Sequence, residues 1–201
     1  MSIQDNEMMQ LVKKKQKTAA WFVSHCNTFS GREKLVRGLQ KLIDVDIYGK
    51  CGALSCPKSS NKCNEMLDST YKFYFSFENT LCIDYVTEKL YNAIQQMVIP
   101  VVFSGADMSR FLPPKSYINA ENFEKVDDLA TYLSFLAQNP EEYIKYFWWK
   151  KHYKIENADP VAWCQLCQKL NSPNFETKRQ IYTDIKGWWY ENTCRKPKIK
   201  F

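Results

Sequence analysis

Three charged residues stand where chemistry with an anion is possible. Glu88 and Lys89 are adjacent, and the apolar positions Val86, Leu90, Ala93, Ile94 and Met97 around them recur at helical spacing. With Asp84 or Thr87 as cap, both charges fall in the first turn of that helix. A helix N-terminus presents unpaired N–H groups and a partial positive charge to an anion. There a carboxylate suits a ribose diol and an ammonium suits a phosphate. Arg32 has a similar place, ahead of Leu35, Val36, Leu39, Leu42 and Ile43, with Ser30 as cap and Glu33 three residues on, as in a capping box. Each residue also has a plain reading: first-turn charges facing solvent, Asn79 a turn former, Tyr85 packed beneath the helix.

The elements that must position these residues follow from residue type. Residues 71–77 are rich in aromatics and read as a strand. The polar turn Glu78-Asn79-Thr80 follows, then the helix, then the apolar run at 98–103, which makes strand, helix, strand. Residues 19–26, 45–49 and 117–119 read as further strands. Residues 126–137 form an amphipathic helix through Leu129, Leu133 and Leu136, and 141–151 a second helix whose Tyr143, Tyr146, Phe147 and Trp148 read as core. Such alternation predicts an α/β fold with a Rossmann-like parallel sheet. In such sheets, ligands bind where strands end and helices begin.

Composition sets wider bounds. The chain has 201 residues, 45% hydrophobic and 25% charged, and carries a net charge of +6, values ordinary for a globular domain. Lys and Arg are dispersed, with local clusters at 13–17, 150–151 and 195–200, and no nucleic-acid motif accompanies them, so no nucleic-acid partner is expected. No apolar run reaches the roughly 18–20 residues that span a bilayer, and residues 1–17 are too polar for a secretion signal. Eight cysteines nonetheless suit disulfides in an oxidising lumen. Cys51, Cys56 and Cys63 contain no Cys-x-x-Cys pair, and the two histidines, His25 and His152, are distant in sequence, so a disulfide loop is favoured over zinc. Cys164 and Cys167 do form a Cys-x-x-Cys, which alone could be redox-active or half a zinc site.

The order of these motifs resembles the α-1,3-fucosyltransferases. FSFENTLCIDYVTEKLYNA at 75–93 is similar to that family's signature, and the likeness continues through VIPVV at 98–102, Pro113-Pro-x-Ser-Tyr-Ile118, Leu129-Ala-x-Tyr-Leu133 and Glu141-Glu-Tyr-x-x-Tyr-Phe147. Upstream, Trp21-Phe-Val-Ser24 and Val45-Asp-Ile-Tyr-Gly49 fit as well. The cysteine loop beginning Tyr48-Gly-x-Cys-Gly52 and the tail at 181–190 with Cys194 resemble the branch that fucosylates the N-glycan core.

The resemblance implies the C-terminal, donor-binding half of a GT-B glycosyltransferase, with GDP-fucose as donor and no metal cofactor required. It assigns donor contacts to Arg32, Glu78, Asn79, Tyr85, Glu88 and Lys89. Arg32 and Lys89 would hold the diphosphate, Glu88 the ribose, Asn79 and Tyr85 the pocket wall. Glu78 would either bind fucose or brace the turn. It further implies inverting α-1,3 transfer to the GlcNAc of an N-glycan acceptor on the lumenal side of the Golgi membrane. The catalytic base and membrane anchor would belong to an N-terminal part outside this sequence. Residues 1–18 would then be a linker, 19–155 the donor domain, and 156–201 a helical, cysteine-containing tail whose Cys-x-x-Cys is disulfide-tied in the family. An inactive nucleotide-sugar-binding fragment and a cysteine-rich redox or zinc protein are the alternatives.

Overall fold

The computed structural model describes residues 3–57, 61–156, 159–173 and 181–201. Parts of the expected linker, cysteine loop and tail, at 1–2, 58–60, 157–158 and 174–180, lie outside the described residues. Five strands form one parallel sheet: β1 (Lys17–Phe22), β2 (Val45–Tyr48), β3 (Tyr71–Phe77), β4 (Ile99–Phe103) and β5 (Ile118–Asn119), in the order β2-β1-β3-β4-β5. Helices α1 (Ile3–Lys14), α2 (Arg32–Leu39), α3 (Lys62–Ser69), α4 (Glu88–Gln95), α5 (Val126–Gln138), α6 (Pro140–Ile144) and α7 (Asp159–Leu170) complete the fold.

Side chains alternate between the two faces of the sheet, as a pleated strand requires. Ala19, Trp21, Phe73, Phe75, Phe77, Val101 and Phe103 pack on one face with α2 and α5, and Val12 of α1 joins them. Ala20 and Tyr74 meet Leu67 of α3 and Ala93 of α4 on the other, and Val102 meets Leu90 and Ile94 of α4. Six of the seven residues of β3 are buried because this central strand is covered on both faces. The placement of α2 opposite α3 and α4 follows from handedness. Crossovers between parallel strands are right-handed, so reversing direction after β2 sends the connecting helices to the opposite face. The two sets of helices diverge between β1 and β3, and that gap opens at the carboxyl ends of the strands.

Boundaries depart from the sequence reading in instructive ways. The first strand begins at Lys17, whose N–H donates to Thr70 O, and it ends at Phe22 short of the expected Cys26. The helix expected over 141–151 is α-helical only to Ile144 and then tightens into a 3-10 helix, Lys145–Lys151. Tyr143 and Phe147 are buried as expected, and Trp149 joins them, while Tyr146 and Trp148 are half-buried. Helix α3 carried little signal, since only Leu67 of it is buried. Residues 3–14 are a helix whose Met9 and Val12 are buried against the domain. Among the described residues, no helix is long and apolar enough to cross a membrane.

Three disulfides stitch this frame: Cys26–Cys51, Cys56–Cys63 and Cys82–Cys194. Cys164 and Cys167 are free thiols on the exposed helix α7.

Lys15, 2% exposed, joins the base of the sheet to α3. Its Nζ donates to Leu67 O at 2.7 Å and Tyr71 O at 2.8 Å. Burial lowers its pKa from 10.5 to about 7, against the opposing pull of Asp68. Between those values the unfolded chain binds the proton that the folded chain has shed, so stability should rise as pH increases from about 7 towards 9. Thermal unfolding across that range should show an increasing midpoint, and Lys15→Met should flatten the increase. An equal slope in both proteins would remove Lys15 as its source.

Candidate functional site

A cavity of about 310 Å³ lies in the gap between β1 and β3, lined by the chain leaving β1 (Val23, Ser24, His25), by Tyr48 and Gly49 at the end of β2, and by Arg32, Asn79, Glu88 and Lys89. Four of the six residues expected at a donor site therefore face one cleft. Glu78 and Tyr85 are not among its lining residues.

Arg32 opens α2. Its guanidinium is buried, with Nη1 donating to Phe77 O and Nη2 to His25 O, both at 2.7 Å, and Nε donating to Glu33 at 3.4 Å. It also lies 5.4 Å over the Trp21 ring. Burial lowers its pKa, while Glu33 by charge and hydrogen bond, then Glu78 and Tyr85 by charge, oppose that shift. An arginine stays cationic under such a shift. Among the described residues one N–H on each terminal nitrogen is uncommitted, and the side chain lines the cleft.

The expected capping box forms differently. Gly31, with φ 73°, is the cap residue of α2 and supplies no side chain. Ser30 Oγ instead accepts from Arg32 N at 3.3 Å, and the Glu33 carboxylate reaches back to Thr28 N at 3.1 Å and Thr28 Oγ1 at 2.9 Å. With Gly31 as the cap, the reciprocal bond of Glu33 falls on Thr28 rather than on Ser30.

At α4 the cap residue is Thr87, whose backbone is extended but whose hydroxyl does not bond the helix. Glu78 takes that hydroxyl. Its carboxylate, 2% exposed, accepts from Thr87 N at 2.9 Å, Thr87 Oγ1 at 2.8 Å and Lys89 Nζ at 3.0 Å. This geometry has Glu78 bracing the turn. Lys89 spends a second N–H on Thr87 Oγ1 at 2.8 Å, which leaves a third for the cleft. Glu88 is mostly exposed, 3.6 Å from Lys89 Nζ. Partial burial would raise its carboxyl, but the Lys89 charge, with polar groups at the helix start, outweighs that and holds it below the usual range. It is an ionised acceptor at neutral pH.

Asn79 carries an unmet demand. Its backbone oxygen accepts from Ser30 N at 2.9 Å, yet among the described residues Oδ1, buried at the cleft, finds no hydrogen-bond partner. Buried polar atoms are rarely left so, and a donor entering the cleft would satisfy this one. The Tyr85 ring lies edge-on to Trp189 at 6.1 Å.

The sequence reading missed two contributors. His25 acts through its carbonyl, which side-chain chemistry does not advertise. Gly49 has φ 99°, and a Cβ there would lie 2.4 Å from Val23 O, so only glycine lets the loops after β1 and β2 close on each other. Among the described residues no group of three or more His, Cys, Asp or Glu side chains converges as metal ligands.

A family model described as glycosyltransferase family 10 (fucosyltransferase), C-terminal, matches residues 12–188. The alpha-(1,3)-fucosyltransferase C of Drosophila melanogaster is 51% identical over 95% of this chain and 44% of its own length. The glycoprotein 3-alpha-L-fucosyltransferase A of the same fly is 41% identical over 87% of this chain and 35% of its own. The chain thus spans less than half the length of these relatives. A crystal structure of an alpha1,3-fucosyltransferase with GDP-fucose matches with a TM-score of 0.63 and 20% identity, over 90% of this chain and 55% of that one. That likeness is one of fold.

The two glutamates should separate on mutation. Glu78→Ala strands the buried end of Lys89 and the Thr87 donors, and should cost about 3 kcal/mol in urea unfolding. Glu88→Ala, at an exposed position, should stay within about 0.5 kcal/mol. Equal costs would contradict the bracing geometry.

Proposed function

This chain belongs to the glycosyltransferase family 10 (fucosyltransferase) C-terminal domain family, and from that premise we propose that its cleft binds GDP-fucose as the donor half of a fucosyltransferase. The observation that carries the reading is the cleft itself. Two cations from opposite faces of the sheet, Arg32 and Lys89, meet a buried acceptor without a partner, Asn79 Oδ1, at the switch point of a parallel sheet.

In this reading the diphosphate lies between Arg32 and Lys89, whose remaining N–H groups are fixed in advance by their bonds to Phe77, His25, Glu78 and Thr87. Preorganised donors of this kind favour charge that develops as a bond breaks. As the acceptor hydroxyl attacks the fucose C1, the bond from C1 to the β-phosphate oxygen breaks, and the added charge on GDP falls to these cations. Glu88, ionised at the helix start, accepts from the ribose hydroxyls. Asn79 Oδ1 takes a donor from the nucleotide, and Tyr85 stands at the phosphate side.

The acceptor proton would go to a carboxylate outside this chain, in the part of the relatives that it does not span. Inversion follows from attack opposite the leaving group. We assign α-1,3 transfer to N-glycan GlcNAc on two supports: the sequence likeness to the core-fucosylating branch and the similarity to a relative named as a glycoprotein 3-alpha-L-fucosyltransferase. Three disulfides suit the oxidising lumen of the Golgi that the family resemblance implies.

Calorimetric titration of GDP-fucose into the purified, oxidised chain should show saturable binding. Lys89→Ala should weaken it by tenfold or more, roughly the effect of losing one charge-assisted contact. Arg32→Lys, which keeps charge but loses the bidentate reach, should weaken it also. The same preparation should not transfer fucose to an N-glycan acceptor. Absence of binding would overturn the donor reading, and efficient transfer would overturn the assignment of the base to another part of the protein.

A further inference from the structure

The end of the chain returns to both loops of the cleft. Cys194 is bonded to Cys82, and backbone bonds of 2.9 Å flank that bridge, from Ile83 N to Thr193 O and from Arg195 N to Leu81 O. Trp189 packs on Tyr85, and Tyr190 meets Phe29 edge-on at 5.5 Å. Further on, the Phe201 ring lies 3.4 Å from where a Cβ on Gly31 would sit. The tail is itself anchored: Glu121 accepts from Arg195 Nη1 and from Lys198 N, and Ile199 is buried in the core.

Each loop has anchors at its base, Cys26–Cys51 in the first and Ser104 Oγ donating to Tyr85 O at 3.0 Å in the second, while their tips are open. Phe29 is 83% exposed and Ile83 55%. Asn27 and Asp84 hold φ of 64° and 58°, a region costly for residues with a Cβ unless the surroundings impose it. Gly105 backs the second loop so closely that a Cβ there would lie 2.3 Å from Leu81 C. The loop bearing Tyr85 is therefore held between Gly105 and the tail.

We propose that Trp189, Tyr190 and Cys194 are positioning residues of the cleft, forming a strap that holds the Tyr85 loop and the Phe29 loop where a nucleoside diphosphate meets them. The inference rests on the donor reading above. The strap acts through Tyr85 on one side and through the loop entering Arg32 on the other, and touches no ligand itself.

The test is titration of GDP into the oxidised chain and its variants, with amide hydrogen exchange of residues 27–31 and 79–87 measured without ligand. Trp189→Ala should weaken GDP about tenfold, a coupling of the size seen between contacting residues. Trp189→Phe should restore most of that affinity, and Trp189→Ala should cost nothing more once Tyr85 is alanine. Trp163→Ala, on the exposed α7, should bind as wild type. The paired Cys82→Ala/Cys194→Ala variant should exchange faster at 79–87 than at β3, which keeps the strap testable should Trp189→Ala fail to fold. A wild-type chain that binds no GDP overturns the donor reading. Wild-type GDP affinity in Trp189→Ala, or unchanged loop exchange in the cysteine variant, overturns the strap and leaves the donor reading standing.

Discussion

The site depends on a buried guanidinium. Arg32 bonds the carbonyls of His25 and Phe77, and so ties the loop after β1 to the end of β3 across the gap where the sheet reverses direction. A charge so deeply buried is tolerated only with partners, which here are two main-chain oxygens, Glu33 and the Trp21 face. One side chain thus opens helix α2, spaces two strands and brings a cation to the cleft.

Lys89 is held on the same plan from the opposite face. Glu78 diverts the Thr87 hydroxyl from its helix and uses it, with its own carboxylate, to fix the ammonium. The cost is a helix start without a side-chain cap, roughly 1 kcal/mol by ordinary measure.

Disulfides do at the rim what packing does in the core. Cys26–Cys51 joins the loops after β1 and β2, beside the close approach that Gly49 permits. Cys82–Cys194 spans 112 residues and binds the tail to the loop before α4. In the chain-entropy picture such a closure is worth about 4–5 kcal/mol, enough to hold a tail whose Trp188, Tyr182 and Ile185 are exposed.

The amino-acid sequence by itself determined the alternation of strand and helix, because β3 is rich in aromatics, β4 is apolar throughout, and α4 and α5 carry clear helical stripes. It also placed Arg32, Glu88 and Lys89 at helix starts, since cap signals are local. What it could not determine depends on contacts distant in the chain. The role of Glu78 as a brace requires Thr87 and Lys89 to fold back on it, nine and eleven residues on. The His25 carbonyl, the cysteine pairing and the return of the tail to Phe29 and Tyr85 leave no periodic trace, because residue type and spacing carry no distance information beyond a turn or two. Helix α3 and the 3-10 end of α6 were hidden for a related reason: a single buried leucine or a change of helical pitch is set by packing against the sheet. Local chemistry therefore named the charged residues, and only the tertiary fold decided which of them face the cleft and which hold the others in place.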